Sequence, residues 1–298
     1  MFAMTERHAV MLDSRGLLKV AGPDARSFLQ GLISNDVDKL APERALWAAF
    51  LTPQGKYLHD FFLTTAPGEE SILIDCEAAR LGDLTRRLGI YKLRAQVELA
   101  DVSDDYRVAA LFGADALAAL GLPAEPGTAA PFGGGIAYAD PRLAALGARA
   151  VLPRSGAEDA LANAGFTRAE FASYDQLRIP LGVPDGSRDL EVERATLLEN
   201  GFSELHGIDW DKGCFVGQEI TSRMKYRALV KRRLVPVEID GPAPEPGTPV
   251  MAGGKEAGVM RSANGGMGLA LLRLENLADA LSAGGARVTP KKPAWAEF

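Results

Sequence analysis

From Arg232 to the C-terminus the chain is punctuated so densely that a small all-β body is the expected outcome. Short β-prone runs, such as Leu234 to Ile239, Val259 to Arg261 and Gly268 to Leu272, are separated by clusters of Pro and Gly. That pattern is the mark of a small antiparallel barrel or sandwich. The residues before it read differently, and 298 residues leave room for a second, larger body with a sizeable core.

In that larger part, Leu17 to Val20 reads as a strand. Gly22-Pro23-Asp24 breaks it and opens a helix with Phe28, Leu29, Leu32 and Ile33 on one face. The apolar stretches Ala45 to Leu51 and Leu58 to Thr64 flank Thr52-Pro53-Gln54-Gly55, a hairpin signal, because Gly55 supplies the free φ of a tight turn. Ser71 to Asp75 is a further strand. Leu81, Leu84 and Leu88 then recur at helical spacing, with Gly89 where a C-terminal cap belongs. Strands at Gln96 to Leu99 and Arg107 to Phe112 and a short helix from Ala114 follow. Gly121 to Gly135 reads as a loop or a join between subdomains, and helices are expected around Glu158 to Ala164 and Arg168 to Arg178. Alternating elements with several hairpins imply α+β rather than a doubly wound parallel sheet.

Several classes are set aside on composition. With 47% hydrophobic and 24% charged residues the chain matches an ordinary globular protein. No apolar run approaches the roughly 18–20 residues that span a bilayer, and Met1 to Val10 lacks a secretory pattern. The two cysteines, Cys76 and Cys214, are far apart and form no disulfide framework, so a reduced, cytoplasmic setting is expected. The net charge of −6 argues against a dominant nonspecific nucleic-acid binder. No CxxC or HxxxH pair suggests a metal site.

Chemistry concentrates in Leu205 to Glu219. There Lys212, Cys214, Gln218 and Glu219 are interspersed with Gly213 and Gly217, which allow close approach of the backbone to a ligand. A helix beginning near Val216 would offer free N–H groups to an anion near Lys212. A cysteine beside a lysine and a helix N-terminus tends toward a reactive thiolate. The competing reading makes Cys214 a small buried hydrophobe and the glycines a tight turn.

The run Lys212-Gly213-Cys214-Phe215-Val216-Gly217-Gln218-Glu219 resembles the signature of the YgfZ-type proteins. These are folate-dependent relatives of the glycine-cleavage aminomethyltransferase, and the mitochondrial iron–sulfur assembly factor of the same family carries the run too. Gly22 to Gly31 with Asn35-Asp36-Val37 is similar to the family's first helix and following turn. Tyr174 to Pro184 resembles its pterin-facing segment. Arg223 to Arg227 with Lys231 to Leu234 resembles the entry into its C-terminal barrel. Residues 100–165 match only loosely.

Two positions depart from the aminomethyltransferase pattern. His59 stands where the first of two aspartates acts on the folate nitrogen, and a neutral imidazole lacks that fixed charge. Pro180 stands where relatives place a pterin-gripping glutamate, with Glu191 and Glu193 the nearby substitutes. His59 and Asp60, as neighbours on a strand, are expected on opposite faces. Arg223, Lys225, Arg227, Lys231, Arg232 and Arg233 form a basic cluster suited to a folate glutamate tail or a tRNA backbone, or a solvated face.

The resemblance therefore implies an α+β, aminomethyltransferase-like body of two intertwined subdomains over 1–227, joined near 121–135, with a small antiparallel β-barrel over 228–298. It implies tetrahydrofolate or a derivative as cofactor, with Tyr174, Arg178, Lys212, Gly213, Phe215, Gln218, Glu219 and Arg227 around it and Cys214 as the functional thiol. The implied function is support of iron–sulfur cluster assembly or repair. Folate and iron–sulfur client or assembly proteins are the implied partners, with a possible tRNA contact and effect on tRNA modification, and no membrane. A true folate-dependent aminomethyltransferase and a ligand-free assembly scaffold are the alternatives.

Overall fold

The computed structural model describes residues 6–66 and 68–298; Met1–Thr5, part of the opening segment weighed above, lie outside it. The first eleven strands are β1 (Arg7–Met11), β2 (Arg15–Ala21), β3 (Leu46–Leu51), β4 (Tyr57–Thr65), β5 (Ile72–Glu77), β6 (Glu98–Asp101), β7 (Tyr106–Gly113), β8 (Ala129–Phe132), β9 (Gly135–Ala139), β10 (Ala148–Pro153) and β11 (Thr167–Arg168). The remaining strands are β12 (Arg232–Asp240), β13 (Pro249–Ala252), β14 (Lys255–Asn264), β15 (Met267–Arg273), β16 (Leu281–Ala283) and β17 (Ala286–Pro290). The helices are α1 (Ala25–Gln30), α2 (Leu81–Lys92), α3 (Ala116–Ala119), α4 (Ala157–Asn163), α5 (Phe171–Arg178) and α6 (Gln218–Tyr226).

The chain divides into two units. The first takes the described residues through Phe50, then His59–Phe171 and His206–Phe215; the second takes Leu51–Leu58, Ala172–Leu205 and Val216–Phe298. The first unit carries two sheets, of order β11-β1-β7-β10-β9-β8 and β3-β4-β5-β2-β6. Period-two alternation sorts the side chains of the first sheet. Ala109, Leu111, Ala137, Ala148, Ala150 and Leu152 join one apolar cluster, which α3 and α4 cover with Ala116, Ala157 and Leu161. Tyr138 and Arg149, on the alternate positions, meet the second sheet: the Tyr138 ring lies 6.3 Å from Phe62 of β4, and Arg149 bonds Asp75 of β5.

In the second unit the Pro- and Gly-punctuated C-terminus closes into a six-stranded barrel of order β12-β15-β14-β13-β16-β17, antiparallel throughout. Its interior holds Val235, Val237, Val250, Met260, Ala270, Leu272, Leu281 and Val288. On the outer face Leu234, Leu269 and Leu271 pack with Ile179, just past α5.

Three local expectations are corrected. Helix α2 passes through Gly89 and ends at Lys92, and Leu93, at a positive φ of 41°, stands at the terminus where a glycine cap was expected. Helix α1 stops at Gln30, and Leu32 and Ile33 are buried beyond it. The stretch 121–135, read as a loop or a join between subdomains, contains β8. Its Pro131 is tolerated because β8 is a sheet edge, and Gly133 and Gly134, at φ 56° and 79°, turn the chain into β9.

Candidate functional site

The segment leading into the signature run is held by residues far away in sequence. Asn35 donates through Nδ2 to the carbonyls of Trp47, at 2.7 Å, and His206, at 2.8 Å. Ser34 Oγ donates to Gly207 O at 2.6 Å, and Asp209 N donates to Ser34 O at 3.0 Å. Lys39 pairs with Asp209. The turn itself is fixed by Gln30, which donates to Asp36 at 2.7 Å and accepts from Val37 N at 2.8 Å. The first helix with its turn and the Cys214 segment, two parts of the resemblance about 170 residues apart, therefore form one structure.

Lys212 completes that structure. Its ammonium donates to Gln30 O at 2.9 Å and to the carbonyls of Ile33 and Asn35, both at 2.7 Å. Three donors meet three acceptors, which satisfies the group. Burial pushes its pKa down to about 8, against the pull of Asp36, Asp209 and Asp38. The same ammonium lies 5.4 Å from the centre of the Phe215 ring, which is also buried. Between these two anchors Gly213 and Cys214 are exposed. The reading of Cys214 as a small buried hydrophobe is thereby excluded; it describes Cys76, whose thiol burial pushes up to about 12.

The second half of the run belongs to the second unit. Gly217 sits at φ 84°, and a Cβ there would stand 2.7 Å from Thr52 O of the β3–β4 turn. Its glycine is thus required by close approach of the protein's own backbone. Helix α6 follows with Gln218 half-buried, Glu219 exposed and Arg227 exposed just past its end. Glu219 in the first turn and Arg223 in the last pair at 3.1 Å, an arrangement that also suits the helix dipole.

Tyr174 and Arg178 lie about one turn apart on α5 and are both buried. Arg178 donates Nε to Asp175 at 2.6 Å, Nη1 to Asp189 at 2.7 Å and to Val183 O at 3.1 Å, and Nη2 to Ser262 of β14 at 3.0 Å. Its guanidinium thus ties α5 and the following loop to the barrel wall. Pro180 is exposed in the turn after α5. Of the two glutamates near it in sequence, Glu193 is exposed and Glu191 pairs with Arg194 at 2.6 Å.

His59 and Asp60 point to opposite faces of β4, as expected. Asp60 accepts from Trp47 Nε1 at 3.0 Å; His59 Nε2 stands 3.0 Å from Asp83 Oδ2 on α2, and as the Nε2–H tautomer it donates there. Burial, reinforced by Arg80, lowers the His59 pKa to about 4 in spite of Asp83, so the imidazole is neutral at physiological pH.

A buried charge layer between the two sheets of the first unit escaped the sequence reading. Asp75 accepts from Arg15 Nε at 2.6 Å and Arg149 Nη2 at 2.7 Å. Burial pushes this carboxyl up, but the two guanidiniums outweigh burial and hold it below the usual range. Arg142 pairs with Asp140 at 2.7 Å, and Arg142 and Arg149 lie 4.9 Å and 4.0 Å from the centre of the Phe62 ring. The signal was present: Asp75 and Arg149 are the charges within the otherwise apolar runs Ile72-Leu73-Ile74-Asp75-Cys76 and Ala148-Arg149-Ala150-Val151. Among the described residues no group of three or more His, Cys, Asp or Glu could hold a metal, and no helix is long and apolar enough to cross a membrane.

Comparison with known proteins fits this architecture. Residues 3–125 match the model of the GCVT N-terminal domain, and residues 231–298 match that of the CAF17 C-terminal beta-barrel domain. The structure superposes on the glycine cleavage system aminomethyltransferase T of Bartonella henselae with a TM-score of 0.76, over 99% of this chain and 88% of that one. The identity is 16%, so this likeness defines the fold alone. The class is therefore an aminomethyltransferase-like body with a closed antiparallel barrel at its C-terminus.

The mitochondrial iron–sulfur cluster assembly factor IBA57 of Mus musculus is 34% identical over 291 residues, 89% of this chain and 77% of the mouse protein. Its Homo sapiens counterpart is 34% identical over 284 residues, with the same coverage of 89% and 77%. The chain belongs to the IBA57 family of iron–sulfur cluster assembly factors. The cytoplasmic location expected above is overturned by these relatives, which are mitochondrial by name. That expectation rested on unpaired cysteines, and reduced thiols are kept in more than one compartment.

Proposed function

We propose that this chain is a tetrahydrofolate-binding factor that supports the assembly or repair of iron–sulfur clusters, with Cys214 as its functional thiol. The observation that carries the reading is the exposed pair Gly213–Cys214, held in place by buried Lys212 and Phe215. Nothing internal demands a glycine at 213: its φ is not left-handed, and a Cβ there would meet nothing within 4 Å. The relatives supply the process. An accessible thiol is the residue type that iron–sulfur chemistry uses. The finer YgfZ-type assignment, made on Lys212 to Glu219, is part of this reading.

The aminomethyltransferase-like fold supports tetrahydrofolate or a derivative as the ligand class, and we assign it to the 1–227 body rather than the 228–298 barrel. The residues fit such a ligand in part. Arg227 is exposed and offers a guanidinium to glutamyl carboxylates, and Gln218 and Glu219 offer amide and carboxylate groups to polar ring atoms. Tyr174, Arg178, Lys212 and Phe215 are buried, and in this reading they hold the neighbouring backbone in place rather than reach the ligand. Pro180 contributes no side-chain hydrogen bond to a pterin. Aminomethyl transfer gains no support from His59, which is buried, neutral and bonded to Asp83. The tRNA role finds no support in the relatives and is left out.

Titration of the pure protein with tetrahydrofolate by calorimetry is expected to give heat and a thermal shift. Neither signal at millimolar ligand would remove the folate part and leave the ligand-free scaffold. Cys214→Ala is expected to lower iron–sulfur enzyme activity in cells. Unchanged activity would take the thiol out of the mechanism.

A further inference from the structure

Five large hydrophobic residues are exposed among the described residues, and three of them fall within four consecutive positions: Ile90 at 63%, Tyr91 at 37% and Leu93 at 90%. They form the end of α2 and the hook just beyond it, where every residue from Gly89 to Arg94 is exposed. Burying these side chains would be favourable, and an isolated surface leucine is common, but a cluster of this kind marks a place where something docks.

The backbone reinforces this. Leu93 is held at φ 41° and ψ −104°, a conformation that a leucine adopts only under strain. Helices end more comfortably on glycine, and Gly89 is available but lies within α2. The hook is also firm. Tyr91 stacks edge-on against the buried Phe50 ring with centroids 5.9 Å apart, and Ala95 N closes the turn onto Lys92 O at 2.7 Å. A strained, anchored turn thus presents an aliphatic knob instead of folding it inward.

Charge indicates what the knob meets. Between Asp83 and Glu98 the sequence has four cations, Arg86, Arg87, Lys92 and Arg94, and no carboxylate. Arg86 and Arg87 bond back to Asp83 on α2, and Arg87 does so at 2.7 Å. Lys92 and Arg94 flank Leu93 on the exposed hook. Along the sequence this is a basic stretch on a chain whose net charge is −6.

We infer that the hook Gly89–Arg94 is a docking element for an acidic protein, one that offers an apolar socket for Leu93 and Ile90 within a rim of aspartate or glutamate. The aliphatic bulk favours a protein over a nucleic acid, which is gripped by stacking on open aromatic faces, and the Tyr91 ring is already packed on Phe50. A membrane surface asks for a long amphipathic face or a second anchor, and the hook is a single turn. Central apolar anchors with complementary charge around them are the usual source of affinity and of fast association. The inference stands apart from the folate reading, since neither Cys214 nor a bound pterin enters it.

The test replaces Leu93 in the full-length chain with a photoreactive benzophenone amino acid, irradiates the protein in its native cells, and identifies adducts by mass spectrometry. The expected product is an adduct with another protein, absent when the reagent is placed at exposed Glu256 and lost with Lys92→Glu plus Arg94→Glu. That protein, purified, is expected to bind the native chain at least about tenfold more tightly than Leu93→Asp. Its affinity is also expected to fall between about 50 and about 300 mM salt. Leu93→Gly suits the left-handed backbone, so it is expected to keep or raise thermal stability while losing binding, a split that a purely structural leucine would not produce. Adducts with RNA, lipid or a second copy of this chain would overturn the inference. So would the absence of any adduct above the Glu256 control, or binding indifferent to charge reversal.

Discussion

The two units solve the problem of buried charge with opposite stoichiometry. In the first, one carboxylate, Asp75, stands between two guanidiniums, Arg15 and Arg149. In the second, one guanidinium, Arg178, stands between two carboxylates, Asp175 and Asp189. All three members of the first set are buried deeply, and Phe62 lies beside both of its cations, 5.7 Å from Arg15 and 4.0 Å from Arg149. The second set has reserves. Asp175 also accepts from Arg188 at 2.8 Å, and Asp189 also accepts from Ser262 Oγ at 2.6 Å and from the backbone N–H groups of Asp185 and Ser262 at 2.9 and 3.0 Å. The lesson is that a buried ion is as replaceable as its partners' alternatives allow, because the large cost lies in the charge left behind.

That contrast gives the largest expected effect. Asp75→Asn keeps the shape but leaves two guanidiniums facing a neutral amide, and it is expected to destabilise the protein by roughly 3–5 kcal/mol. Arg178→Met leaves Asp175 with Arg188 and Asp189 with its hydroxyl and amide donors, so the expected loss is smaller, about 2–3 kcal/mol. Urea unfolding of both variants measures the difference. Equal losses would mean that the surviving partners do not compensate, and the comparison would fail.

His59 tests the same logic for a group that avoids its charge. Its pKa lies at about 4, below the unfolded value near 6.5, so the unfolded chain binds more protons between these two values. Stability from this group is complete above the unfolded pKa and falls as pH drops toward the folded one. The loss from about pH 7.5 to about pH 5 is expected to be near 2 kcal/mol. His59→Gln, which retains a donor for Asp83, should flatten that part of the profile, as unfolding at both pH values would reveal. The depressed carboxyl of Asp83, at about 2, acts in a lower window and does not interfere. An unchanged slope in the variant would place the acid sensitivity elsewhere.

How much of this was legible follows from the range of the forces involved. The barrel was readable because its turns and alternation are local, as in Leu234 to Ile239, and most elements of the larger part fell within a few residues of their expected places. Helix ends were less so: Gly89 offered a cap, yet α2 continues to Lys92. The signature run was legible as a string, but not its mechanics. Lys212 stood out as a candidate ligand group, while its three carbonyl acceptors, some 180 residues away around α1, could not be read from the string. The partners of Arg178 were hidden in the same way, since Ser262 and Asp189 join it only through the tertiary fold. A lone charge in an apolar strand, such as Asp75, carries a signal that it is buried and paired, while leaving open with what.

The smallest expected effect on stability is the most informative about the site. Gly217 and Gly213 flank Cys214 within the same run, and the structure separates them. Gly217 is left-handed and abuts Thr52 O, whereas Gly213 is neither left-handed nor crowded. Gly213→Ala is therefore expected to change stability by no more than about 0.5 kcal/mol, and a small gain from reduced freedom of the unfolded chain is acceptable. If the exposed pair at 213 and 214 is where a ligand or client approaches, the same methyl group should lower iron–sulfur enzyme activity in cells while leaving the unfolding midpoint in place. Gly217→Ala would instead lose both, since the methyl would press on the β3–β4 turn. A Gly213→Ala protein with full activity would confine the close approach to the protein's own backbone at Gly217, and the alternation of buried Lys212 and exposed Cys214 would then describe only how a turn is held.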